Sequence, residues 1–137
     1  MPDTVRKVDY YTTTVADRPD EGARLLGVFR EAGVNFLAVD AFPSGGGEWR
    51  VDLVPEDRDA FLAAAEKSGI GLSGAKAAFL LDGEDRVGAT ADTLGRLGTE
   101  GINVTAVTSI VTGGRYGTLL WVKPADMERA ATTLGAK

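Results

Sequence analysis

A chain of 137 residues, 44% hydrophobic and 26% charged, has the composition of an ordinary globular protein and suits one domain or two small ones. Its net charge of −5 and its scattered basic residues exclude the concentrated Lys/Arg surface that nucleic acid requires. The absence of Cys and His excludes disulfides, thiol chemistry and His-based triads, and leaves carboxylates alone for any metal site.

The first strong pattern is Val8-Asp9-Tyr10-Tyr11-Thr12-Thr13-Thr14-Val15, whose β-branched and aromatic residues predict a strand. Asp17-Arg18-Pro19-Asp20 breaks it and opens a helix, with Asp17 or Asp20 as the expected cap. Leu25, Leu26, Phe29 and Ala32 then recur at helical spacing, and Gly33 stands where a left-handed C-terminal residue is expected. Residues 35–42 read as a second strand, Pro43-Ser44-Gly45-Gly46-Gly47 as a turn, and Trp49 to Val54 as an alternating third strand. Glu56 to Ser68 predicts a second helix, with Phe61, Leu62, Ala64 and Ala65 facing inward.

The order then recurs. Ala77 to Leu81 is a strand, and Val87, Ala91, Leu94 and Leu97 mark a helix ending near Gly101. Val104 to Val111 and Thr118 to Val122 are strands joined through Gly113-Gly114, and Met127, Ala130, Ala131 and Leu134 mark a last helix. Asp17-Arg18 matches Asp85-Arg86, Leu26-Gly27 matches Leu94-Gly95, Gly33 and Asn35 match Gly101 and Asn103, and Ala38-Val39 matches Ala106-Val107. One spacing relates all of these pairs, which makes the chain an internal repeat. The expected domains are residues 1–74 and 75–137. Gly71-Leu72-Ser73-Gly74 is a candidate fourth strand for the first copy, whereas the second copy has no clear last strand.

Asp17-Arg18-Pro19 followed by Gly33-Val34-Asn35, and Asp85-Arg86-Val87-Gly88 followed by Gly101-Ile102-Asn103, resemble the ACT domain pattern, twice over and across nearly the whole chain. The resemblance implies an α+β, ferredoxin-like βαββαβ fold in two tandem repeats, with antiparallel sheets and helices on one face. It also implies a small-molecule-binding regulatory module, an amino acid as the usual ligand, and sheet pairing into a homodimer. Ligands of that family commonly lie where the first loop of one copy meets the second strand of a neighbour.

The residues suit such a ligand. A helix N-terminus offers free N–H groups to a carboxylate, Asp17 or Asp85 can face an ammonium group, and Asn35 or Asn103 both donates and accepts. The first copy has Asp20 where the family usually has Gly, whereas the second keeps Gly88. The favoured site is therefore Asp85, Arg86, Gly88, Asn103 and Thr105, with Asp17, Arg18 and Asn35 as a degenerate half. The plainer readings are helix caps for Asp17 and Asp85, solvated charges for Arg18 and Arg86, and left-handed turn residues for Asn35 and Asn103. Trp49 and Trp121 lie on comparable strands and read as core or interface.

No catalytic constellation stands out, and neither a cofactor nor a metal is expected. The rival readings are a regulatory subunit acting through an enzyme partner, a small dimeric α+β-barrel enzyme with an apolar pocket behind the sheet, and an RNA-binding module, which the acidic charge disfavours. With no secretory-type segment after Met1 and no apolar run of roughly 20 residues, the expected location is the cytoplasm, away from membranes.

Overall fold

The computed structural model describes residues 3–137. Its elements in chain order are β1 (Thr4–Ala16), α1 (Glu21–Glu31), β2 (Phe36–Gly45), β3 (Glu48–Pro55), α2 (Arg58–Lys67), β4 (Lys76–Glu84), α3 (Ala89–Thr99), β5 (Val104–Thr112), β6 (Arg115–Val122) and α4 (Met127–Leu134), with a short 3-10 turn at Pro124–Asp126. This is the expected α+β order. Among the described residues no helix is long and apolar enough to cross a membrane.

The chain divides into two compact units. The first comprises residues 9–76, with strand order β2-β3-β1. β3 runs antiparallel to both neighbours, setting Val51 opposite Thr13 and Ala41, and Leu53 opposite Tyr11 and Val39. Alternation then places Tyr11, Val51 and Leu53 on one face, where they pack with Leu25 and Phe29 of α1 and Phe61 of α2. Phe61 is wholly buried and is ringed by Phe29 at 4.9 Å, Tyr11 at 5.2 Å and Phe36 at 5.8 Å between ring centroids.

The Gly-Val-Asn turn is a helix stop. Gly33 takes φ 74°, the Gly33 N–H donates to Arg30 O, and the Val34 N–H reaches back to Phe29 O at 2.9 Å. Val34 is buried, as the second residue beyond such a helix end usually is. Gly101 and Ile102 repeat the arrangement after α3, with φ 72° at Gly101 and a 2.9 Å bond from Ile102 N–H to Leu97 O. This repeated motif is therefore explained by folding alone.

The second unit comprises residues 3–8 and 77–137. The division thus falls after Lys76, and the beginning of β1 goes with the second unit. That segment answers the missing last strand. Thr4–Val8 belongs to β1, the hydrogen-bonded neighbour of β4, and the unit's order continues β4-β6-β5. Val5 packs into the core with Phe79, Leu81 and Leu120, and backbone bonds join Lys7 N–H to Lys137 O and Lys137 N–H to Val5 O. In the first unit, residues 71–73 form no regular strand. They are still fixed to β1 by Ser73 N–H to Thr12 O at 2.9 Å and by Thr13 Oγ1 to Gly71 O at 2.7 Å.

Candidate functional site

In the first unit the loop after β1, the first turns of α1 and the adjoining faces of β2 and β3 enclose a cavity of about 450 Å³. This lies within the roughly 300–1,000 Å³ range of small-molecule sites. Its body is apolar, made by Val15, Leu25, Leu26, Val39 and Val51, and its mouth carries Asp17, Arg18 and the Trp49 indole. The Asp17 backbone N–H donates to Gly47 O at 2.8 Å, which ties the loop to the β2–β3 turn. The Asp17 side chain accepts a hydrogen bond from Trp49 Nε1 through Oδ1. Asp17 therefore caps no helix, and Trp49 holds it in place.

The α1 N-cap is Asp20, with φ 72° and no capping bond from its side chain. It is the one non-glycine at positive φ among the described residues. The first intrahelical bond runs from Arg24 N–H to Asp20 O, so the Gly22 and Ala23 N–H groups precede any helical acceptor. Gly22 lines the cavity, and these donors with the positive helix end suit an anionic group. The left-handed turn at Asp20 aims the helix end. Asp20→Ala is accordingly expected to be about 1 kcal/mol less stable than Asp20→Gly, because both lose the carboxylate and only Ala pays for a left-handed backbone. Paired urea titrations of the two variants measure this difference.

The structure separates the sequence-predicted residues. Asp17 and Arg18 lie at the cavity, Arg18 pairing with Glu21 at 3.4 Å. Asn35 sits at the far end of β2, where its Nδ2 donates to Glu56 at 3.1 Å and its carbonyl accepts from Glu56 N–H at 2.9 Å. It is not left-handed, so it is a tie between β2 and α2 and neither a turn residue nor part of the cavity.

The second unit shows the same separation. Asp85, Arg86 and Gly88 cluster at the β5–β6 turn, with Asp85 N–H bonded to Gly114 O at 3.0 Å and Gly88 in the left-handed N-cap position at φ 81°. Thr90, just beyond, bonds Ser109 at 3.1 Å. Asn103 lies six residues before Ser109, about 20 Å away along extended chain. Thr105 is only two residues nearer. One copy of the chain therefore does not bring Asn103 and Thr105 to Asp85, Arg86 and Gly88.

The two sites differ in what fills them. Strand register sets Trp49 opposite Val15, and Tyr116 opposite Gly83. Tyr116 is thus the counterpart of Trp49: both hairpins turn through two glycines, and one extra residue at the Ser44 bulge of β2 offsets the two copies. Similarly Ser109 stands for Ala41 and Thr118 for Val51. Arg86 holds Asp3 through two hydrogen bonds of 3.2 Å and lies 3.6 Å from Asp92.

Burial pulls the Asp3 carboxyl upward, but the Arg86 hydrogen bonds, the Tyr116 hydroxyl and the Arg86 charge outweigh this and hold it below its ordinary value. A lowered folded value gives stability that is present above the unfolded value near 3.9 and lost as pH falls through the folded value. Asp3→Asn is therefore expected to flatten part of the stability loss on acidification below about pH 4, as read by thermal unfolding across pH.

No family model matches the sequence, and no curated protein matches it. Solved structures do. A protein of Bacteroides thetaiotaomicron superposes with a TM-score of 0.83 at 13% identity, covering 96% of this chain and 88% of that one. The regulatory subunit of aspartate kinase from Thermus thermophilus, in ligand-free form, superposes with a TM-score of 0.66 at 13% identity, covering 98% and 95%. Its Thermus flavus counterpart gives 0.58 at 15% identity, covering 98% and 94%. At such identities the likeness establishes the fold, which is that of ACT-type regulatory domains.

Proposed function

We propose that this protein is a non-catalytic regulatory module that binds an amino acid with an apolar side chain in the cavity of its first unit. The observation that carries the reading is the cavity's division of labour: an apolar body, a carboxylate held by Trp49 at the mouth, and free N–H donors at a helix end. The remaining Asp17 oxygen receives the ligand's ammonium group, the α1 N-terminus its carboxylate, and Val39, Val51 and Leu25 its side chain. This places the competent half at the first loop and revises the preference for the second.

The fold shared with regulatory domains of aspartate kinase supports a role reported to an enzyme partner, with the chain itself acting as a regulatory subunit. Homodimer formation through the edge strands is part of the same proposal. β2 exposes Leu37, Val39 and Phe42, and β5 exposes Val107, Ile110 and Val111.

Thermal unfolding against the twenty amino acids tests the reading. A ligand at 100 times its dissociation constant adds about 2.7 kcal/mol to native stability, a shift of several degrees. The expected hits are among Leu, Ile, Val, Met and Phe, and Ala41→Phe, which adds a ring to the cavity wall, removes them with the fold intact. No hit at millimolar concentrations, or hits that survive Ala41→Phe, would refute it.

A further inference from the structure

The second unit carries the same loop, helix start and strand pair as the first, but polar side chains stand at several of the equivalent positions. A chain of hydroxyls runs from Thr90 to Ser109 at 3.1 Å and from Ser109 to Thr118 at 2.8 Å. The Arg86 guanidinium lies 5.9 Å from the Tyr116 ring centroid. The Tyr116 hydroxyl is buried against the same Asp3 carboxylate and Arg86 guanidinium.

Into this arrangement the chain inserts one of its own carboxylates. A Cβ at Gly83 would collide with Asp3 Oδ1 and stand 2.9 Å from the Tyr116 ring, so the glycine is what makes room for Asp3. In the first unit the equivalent position is Val15, which lines the open cavity instead. The pair of bonds from one guanidinium to both Asp3 oxygens is how arginine recognises a free carboxylate ligand. Asp3 also sits just outside β1, so it can leave without unpairing Thr4–Val8.

We propose that the second unit holds a separate binding site for a small hydroxyl-bearing carboxylic acid, and that Asp3 occupies it as a built-in competitor. The acid's carboxylate replaces that of Asp3 on Arg86 and beside Tyr116, and its hydroxyl joins the Ser109–Thr118 pair. The two repeats then differ in ligand class, apolar in the first and polar in the second. If Asp3 fills the site about nine-tenths of the time, it weakens apparent affinity about tenfold.

The test is an NMR titration of the full chain with sodium L-lactate at constant ionic strength, following the Arg86 Nε–H signal. Wild type, Asp3→Ala and Asp3→Ala/Arg86→Gln are compared, with the Thr118 and Tyr116 backbone signals read in all three. Asp3→Ala is expected to bind lactate about tenfold more tightly than wild type, and the double variant to lose the response. Equal affinity in wild type and Asp3→Ala, binding that persists without Arg86, or no binding to Asp3→Ala at millimolar lactate would each overturn the proposal. All the groups concerned belong to the second unit, so these outcomes are independent of whether the first cavity binds an amino acid.

Discussion

Phe61→Ala is expected to lower the free energy of unfolding by about 3–5 kcal/mol, the range for removing a fully buried ring from a packed core. Phe61 has no exposed surface, and three aromatic rings lie within 6 Å of its own. These rings come from β1, α1 and the start of β2, so the gap opens where the layers of the first unit meet. Such a loss is a large part of the roughly 5–15 kcal/mol that holds an ordinary domain folded. The neighbouring Leu62 is 38% exposed, and Leu62→Ala is expected to change stability by no more than about 0.5 kcal/mol. Urea unfolding followed by circular dichroism measures both. A loss under about 1 kcal/mol at Phe61 would mean that this cluster is not the core of the unit.

Asp17→Asn is expected to weaken amino-acid binding about tenfold to a hundredfold while leaving the fold in place. The substitution keeps an oxygen to accept from Trp49, so the indole stays anchored. What it removes is the negative charge facing the ligand's ammonium group. A hydrogen bond to a charged partner is worth about 1.5–3 kcal/mol, and each 1.4 kcal/mol is a factor of ten in affinity. Trp49→Phe makes the complementary test. It retains an aromatic wall but frees Asp17 to turn, and it is expected to weaken binding less than Asp17→Asn. Calorimetric titration of the three proteins with the best amino-acid ligand gives the order directly, and unchanged affinity in Asp17→Asn would remove Asp17 from the site.

The elements were legible because their signals are local. Leu25 and Phe29 recur at helical spacing, Trp49, Val51 and Leu53 alternate, and glycines stand where both helices end. The division of β1 was not legible, since nothing in Val5-Arg6-Lys7-Val8 marks a strand shared between two units. The same event hid the second copy's last strand, which the chain supplies from its beginning rather than its end. The loop part of the site was visible in the repeated Asp-Arg pairs. Asn35 and Asn103 were grouped with them, and within one copy they stand apart, because β2 alone is ten residues long and separates its two ends by about 30 Å. Trp49 and Trp121 do lie on comparable strands, β3 and β6. Their register was not legible, because the extra residue of the first copy sits in a bulge at Ser44 that makes Tyr116 the counterpart of Trp49. Asp3 stayed out of view because it meets Arg86 only through the fold.

The central claim is that the cavity beside Trp49 takes a small apolar amino acid, and the two indole N–H signals in a two-dimensional NMR spectrum test it most directly. Addition of the best ligand from the thermal screen is expected to move the Trp49 indole signal, whose proton is donated to Asp17, in step with saturation, and to leave the buried Trp121 signal in place. A ligand that stabilises the protein without moving the Trp49 signal would show that binding occurs elsewhere and would contradict the account.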